Sequence, residues 1–297
     1  MFLTKKYIKK INKKAFTIIE ISILILIISA MIVGVMTSKS MLTKSRLANA
    51  QSLTQQSYVN EISDDLIAWY ETSLEGSFNA SEIKNDGSYI TAWKDSNKTV
   101  VTKNNATQGS SANQPTLVQN VFYNSIPGLR FSGNQYLNFV GTKFAKNSYT
   151  VFVVEQRSSN KSENYFIGGT GSSLNGNLSL GYGNDTSILF SHYSNDFNRS
   201  IASYKPQTPI MHTFLFNNTI GKRHSINGGS IAINTPAQTT SITSFNQAMI
   251  GAYNPSGTLK TYVGDLAEII MFKRSLKTEE IKAIESYLGS KYGIPVS

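Results

Sequence analysis

The sequence predicts a mainly β protein: a long N-terminal transmembrane and stalk helix, then a jelly-roll β-sandwich that includes a C-terminal helix. Three observations predict it. Residues 16–36 are an apolar run whose one charge is Glu20. From residue 64 onward, short runs of aromatic and β-branched residues are separated by Gly, Asn, Ser and Pro, the pattern of strands and turns. Near the end, Ile281, Ile284 and Leu288 recur at helical spacing.

The elements follow in chain order. Residues 1–15 form a basic leader with Lys5, Lys6, Lys9, Lys10, Lys13 and Lys14 and no acid. The apolar run after it, at about 1.5 Å rise per residue, reaches roughly 30 Å, the thickness of a bilayer's hydrocarbon core. Basic flanks stay cytoplasmic, so the rest of the chain is expected outside. The run is longer than the roughly 7–15 residues of a signal-peptide core, and Ser38-Lys39-Ser40 is a weak cleavage site. A plain anchor accounts for length and orientation. It accounts for Glu20 only through its place near the helix start, where the dipole favours an anion. Residues 38–63 turn polar without Pro or Gly, while Met41, Leu42, Leu47, Leu53, Tyr58 and Ile62 keep a loose helical period. The helix is therefore expected to run on as a stalk to residue 63.

The β domain is expected over 64–297. Its clearest strand signals are Leu66-Trp69-Tyr70, Leu129-Phe131, residues 149–154, Leu178-Leu180-Tyr182, and residues 212–216, 230–233 and 268–272. Leu178, Leu180 and Tyr182 alternate with Ser179 and Gly181, which marks a half-buried strand, and the unbroken run at 151–154 suits a central one. Residues 97–114 read as a long polar loop. The terminal helix is expected over 278–292, with Thr278 as N-cap, Glu279 and Glu280 at the positive end of the dipole, and Gly293 and Pro295 as its stop.

Composition narrows the function. The chain has 297 residues and no cysteine, which excludes disulfides, thiol nucleophiles and cysteine-type zinc sites. The net charge of +10 falls to +4 once the six leader lysines are set aside, and no basic stripe interleaved with aromatics occurs later, so nucleic acid is not indicated as a partner.

Two resemblances add to this. The string Lys14-Ala15-Phe16-Thr17-Ile18-Ile19-Glu20 resembles the cleavage and methylation motif of type IV pilin and type II secretion pseudopilin precursors, with Ala15 where Gly is more usual. The resemblance implies a prepilin peptidase cutting between Ala15 and Phe16, and methylation of the new amine. It also implies that Glu20 pairs with a neighbouring subunit's N-terminus during assembly in the inner membrane. Leu66-Ile67-Ala68-Trp69-Tyr70, Trp93-Lys94-Asp95-Ser96, residues 104–108, Pro115 and residues 128–133 look like the opening half of concanavalin A-like lectin/glucanase (laminin G-like) domains. Ile226-Asn227-Gly228, residues 264–270, Leu276, Tyr287-Leu288 and Lys291-Tyr292-Gly293 look like the closing half. The sequence departs from that pattern at Glu71 and Ser132, where Asp is commoner.

The residues offer little catalytic chemistry. Glycoside hydrolysis needs two suitably spaced carboxylates. Asp265 and Glu268, three apart on one strand, are expected on opposite faces, one as a loop-start acid and one as a strand residue. His192, His212 and His224 lack metal-ligand spacing and read as strand residues. Gly168-Gly169-Thr170-Gly171 lacks the lysine and helix of a phosphate loop and reads as a turn. Tyr182, Tyr193, Tyr204 and Tyr253 lie near turns, where they could stack on sugars. Asn184, Asp185, Asp196 and Asn198 could supply calcium ligands, although their spacing is not diagnostic. No catalytic residues are assigned. The expected function is a minor pilin or pilin-like surface protein that presents a lectin-like domain to glycans or surface glycoproteins. The alternatives are a structural pseudopilin of a secretion or DNA-uptake machine and, third, an exported glycoside hydrolase.

Overall fold

The protein is described here from a computed structural model covering residues 18–123, 125–201 and 204–297. The leader, Ala15 and Phe16 lie outside the described residues. The chain divides into two compact units, Met1–Lys44 and Ser45–Ser297. In the first, the helix that begins at Ile18 carries exposed apolar side chains and is long and apolar enough to cross a membrane. Glu20 lies in its first turn. The helix ends at Gln56 rather than continuing to residue 63. Asn60 explains the stop. Its side-chain amide donates to the carbonyls of Thr54, Gln55 and Ser57, which a further helical turn would otherwise satisfy.

The second unit is a β-sandwich of two antiparallel sheets. The first holds nine strands. Along its main path they run Ala232–Ile233, Gly221–Ile226, Ile210–Asn217, Tyr149–Arg157, Val263–Phe272, Ile126–Ser132, Thr116–Phe122 and Ser88–Tyr89. The ninth, Leu66–Glu71, pairs with the second half of Val263–Phe272, while Ile126–Ser132 pairs with its first half. The opening and closing parts of the domain thus meet on one strand. The second sheet runs Asp196–Ser200, Ser187–His192, Leu178–Asn184, Asn164–Gly169, Gln247–Ile250, Leu137–Val140, Ala106–Thr107 and Ala92–Trp93. Tyr149–Arg157 is central, as its unbroken apolar run suggested.

One core fills the space between the sheets, with Tyr70, Val151, Val153, Leu178, Leu180, Phe214, Ile269 and Met271 among its members. A second lies on the other face of the nine-stranded sheet. There Trp69, Phe152, Val154, Ile270 and Phe272 pack under Ile284, Leu288 and Tyr292 of the C-terminal helix, Thr278–Tyr292. Ala50 and Val59, from the end of the N-terminal helix and the turn after it, belong to this second core. The domain therefore draws on residues before Asp64, because that sheet is apolar on both faces and the terminal helix alone does not cover it.

Several expected motif residues turn out to be scaffold. Asp95 accepts hydrogen bonds from the backbone amides of Trp69, Asn97 and Asn104. Trp93 donates its indole N–H to the Glu71 carbonyl at 2.8 Å. Gly168 and Gly169 lie in a strand rather than a turn: a Cβ on Gly168 would come within 2.5 Å of Tyr253 Cβ, so the close approach of that segment requires glycine. The polar stretch at 97–114 contributes the short strand Ala106–Thr107. The terminal helix starts from Lys277 as N-cap, with Thr278 inside it, and Glu280 accepts the Lys277 amide at 2.7 Å.

Candidate functional site

Three polar constellations stand out in the domain. The first is sealed beneath the C-terminal helix. Lys291 Nζ lies 2.8 Å from Glu268 Oε2 and 3.1 Å from Glu71 Oε2. Glu268 also accepts from Trp69 Nε1, Tyr287 and Tyr292 at 2.7–2.8 Å. Glu71 accepts from the amides of Ser73 and Leu74 and from the Ser73 and Ser77 hydroxyls. Burial pushes the Glu71 carboxyl up, but the Lys291 ammonium and these donors outweigh it and hold it below the ordinary carboxylate range. All three charged side chains are fully buried.

The expected opposition of Asp265 and Glu268 does not hold. A bulge between Leu266 and Glu268 inserts an extra residue opposite Tyr149–Arg157 and restarts the alternation. Both carboxylates therefore point to the helix side of the sheet, where Asp265 forms a bidentate pair with Arg130 at 2.8 and 3.0 Å. A strand carrying a bulge does not obey the period of two on which the expectation rested.

The second constellation lies between the sheets. Glu155 accepts from the Tyr182 and Tyr262 hydroxyls and lies 3.3 Å from His212 Nε2. His212 in turn lies 3.2 Å from His224. Tyr182, expected near a turn, alternates inward with Leu178 and Leu180 and is fully buried. Tyr204 packs partly against the same core. His192 is held by Tyr149 at 2.5 Å and by the Thr240 carbonyl at 2.8 Å, and burial, then the nearby Lys222, lowers its pKa to about 3. The three histidines are strand residues of the core, as expected, and His212 and His224 stack together.

The third constellation is the outer face of the eight-stranded sheet. Tyr165 and Tyr253 meet at 5.0 Å between ring centroids, tilted by 61°. Burial raises the Tyr253 pKa, the neighbouring Tyr165 adds to it, and the Ser179 hydroxyl beside the ring offsets part of it, with the Asp196 carboxylate a smaller contribution upward. Tyr165 is pushed up to about 12 by burial, then by Glu163 and Asp196. Asp196 also accepts from Ser191. Near the Gly169–Gly171 segment, Asn177 Oδ1 and Asn254 Oδ1 are buried with no hydrogen-bond partner among the described residues. Two such sealed oxygens are satisfied by buried water.

Two of the four nominated tyrosines, Tyr193 and Tyr253, thus reach this face. Tyr165 was missed, because it sits in an apolar strand whose polar partners come from distant segments. The nominated calcium ligands do not converge. Asn184 accepts from Thr186 in a hairpin turn. The Asp185 carbonyl accepts from Arg157. Asp196 and Asn198 lie two apart on the edge strand. Among the described residues no group of three or more acidic or histidine side chains gathers as a metal site.

No family model and no curated protein matches this chain. Its fold does match solved structures. A mutant of a family GH54 α-L-arabinofuranosidase soaked with 4-nitrophenyl α-L-arabinofuranoside aligns over 79% of this chain and 64% of its own length, with a TM-score of 0.57 and 13% identity. A Trypanosoma rangeli sialidase in complex with sialic acid aligns over 79% of this chain and 34% of its own, with a TM-score of 0.52 and 15% identity. An arabinofuranosidase complexed with arabinofuranosyl-α-1,2-xylobiose aligns over 72% and 53%, with a TM-score of 0.52 and 13% identity. The chain thus spans under two thirds of each of these enzymes. The likeness shows a shared β-sandwich fold.

Proposed function

We propose that this protein is a minor pilin or pilin-like surface protein whose β-sandwich binds glycan without cutting it. The observation that carries the binding half is the outer face of the eight-stranded sheet, where the half-buried Tyr193 and the exposed Asp196 lie near the buried Tyr165–Tyr253 pair. A sugar packs an apolar ring face on an accessible tyrosine and donates its hydroxyls to a neighbouring carboxylate. The enzymes sharing the fold were solved with sugar ligands, which is consistent with this reading and rests on fold alone. The non-catalytic half rests on Glu71 and Glu268. They come together at one ammonium, but every oxygen is engaged and the helix shuts them away from solvent. The pilin half rests on the basic leader, the Ala15-Phe16 junction and Glu20 in the first turn of the exposed apolar helix. In this reading the helix lies in the inner membrane or a filament bundle, with the prepilin peptidase and other pilin subunits as partners.

A glycan array probed with residues 45–297, with and without calcium, tests the binding half. Discrete glycan hits that Tyr193→Ala and Asp196→Asn abolish are expected. An array without hits in either condition favours the purely structural pseudopilin.

A further inference from the structure

A groove on the opposite side of the domain plays no part in that reading. It runs between the start of the C-terminal helix and the edge of the nine-stranded sheet, with a cavity of about 210 Å³. Leu215, Ile220, Ile231, Leu276 and Ile281 supply its apolar walls. A second hollow of about 350 Å³ continues it past Ser225, Ile231, Thr278 and Ile281 toward Lys282 and Glu285. Ile220, Ile231 and Ile233 are 38%, 50% and 52% exposed, an apolar lip at a sheet edge that water alone does not favour.

The formal charge lining the first cavity has one sign. Arg223 and Lys277 line it, and no Asp or Glu does. Arg223 Nε is cut off from solvent and has no hydrogen-bond partner among the described residues. A buried guanidinium N–H without an acceptor costs free energy that a bound anion recovers. The Arg223 backbone is fixed by strands on both sides, opposite Leu215 and Ile233, so its side chain stands over the groove by register. The nearest acid along the groove, Glu285, lies in the second hollow. Its Oε1 already accepts from Thr213 at 2.6 Å and Ser225 at 2.9 Å, and burial raises its pKa.

We propose that this groove binds a small organic carboxylate with a short aliphatic body, its carboxylate on Arg223 and its chain against Leu215, Ile231 and Ile281. A carboxylate suits the site better than a phosphate. The planar fork of arginine takes its two oxygens, and a single charge loses less hydration than a dianion on entering a mostly apolar groove. The first cavity is small beside the roughly 300–1,000 Å³ of sites for drug-sized ligands, which limits the body to a few carbons.

The test uses the full chain in lipid nanodiscs, with empty nanodiscs as the blank. Pentanoate, pentanol and pentylammonium are compared by saturation-transfer NMR and titration. Pentanoate is expected to bind and pentanol to bind at least tenfold more weakly. Arg223→Gln should weaken pentanoate at least tenfold while leaving pentanol unchanged. Ile231→Glu, at a half-exposed position where folding is not at stake, should likewise repel the anion. Pentanoate binding unchanged in both variants, or absent from the unaltered protein, overturns the proposal. Preferential binding of pentylammonium also overturns it, since Glu285 would then be the recognising charge.

Discussion

Lys291 Nζ lies 2.8 Å from Glu268 Oε2 and 3.1 Å from Glu71 Oε2, with no solvent reaching any of the three side chains. Glu71 ends the first strand, Glu268 lies in the last, and Lys291 belongs to the terminal helix. One cation therefore ties the opening and closing parts of the domain to the helix over them. Lys291→Met should leave two buried carboxylates without their cation and cost about 3–5 kcal/mol. Urea unfolding followed by circular dichroism measures this. A loss below about 1 kcal/mol would show that the Tyr, Trp and Ser donors suffice.

Truncation should expose the part the N-terminal segment plays in the domain. Residues 45–297 are expected to fold as a soluble, β-rich monomer. Residues 64–297 should melt at a lower temperature, because Ala50 and Val59 leave the second core and Tyr287 loses its 3.1 Å hydrogen bond to Thr54. Equal melting temperatures for the two fragments would show that the stalk end adds nothing. Removal of everything from Leu276 onward should be worse than either, since the whole apolar face beneath the helix would be bared.

Stability should fall with acid. His192 is held near 3 by burial and Lys222, Glu280 near 2 chiefly by its hydrogen bonds to Arg274, and Glu71 below its usual range. Each binds protons more readily in the unfolded chain, so stability drops as pH falls from about 6.5 toward 2. Glu285, raised by burial, runs the other way and offsets part of this. Lys222, lowered to about 7 by burial, adds stability as pH rises from about 7 to 10.5. Melting temperatures measured from pH 3 to 10 check both limbs. His192→Gln should flatten the part between pH 3 and 6.5, and an unchanged slope there would rule out His192 as its source.

Processing is checked on the native protein by mass spectrometry, with a chain starting at N-methylated Phe16 expected. Glu20→Ala should insert into membranes normally but enter filaments less. An intact Met1 terminus, in cells that process other prepilins, would return the helix to a plain anchor.

The non-catalytic reading predicts no release of reducing sugar from a panel of polysaccharides. Turnover that Glu268→Gln abolishes, with the fold retained, would promote the hydrolase instead.

Local pattern along the chain accounts for part of this architecture. The central strand around 149–154, the inward alternation of Leu178, Leu180 and Tyr182, and the terminal helix at 278–292 follow from apolar period and turn chemistry within a few residues. The rest depends on segments that meet from far apart in the chain. The bulge between Leu266 and Glu268 turned Glu268 to the same face as Asp265, and no neighbouring residue announces it. Tyr165 met Tyr253 across 88 positions of chain because the short hairpin of Ala252–Tyr253 and Lys260–Thr261 packs against the strand Asn164–Gly169. Lys291 found two carboxylates more than twenty and two hundred residues away. A buried charge is stable only where its partners converge, and that convergence is set by strand order and register, which local sequence does not encode.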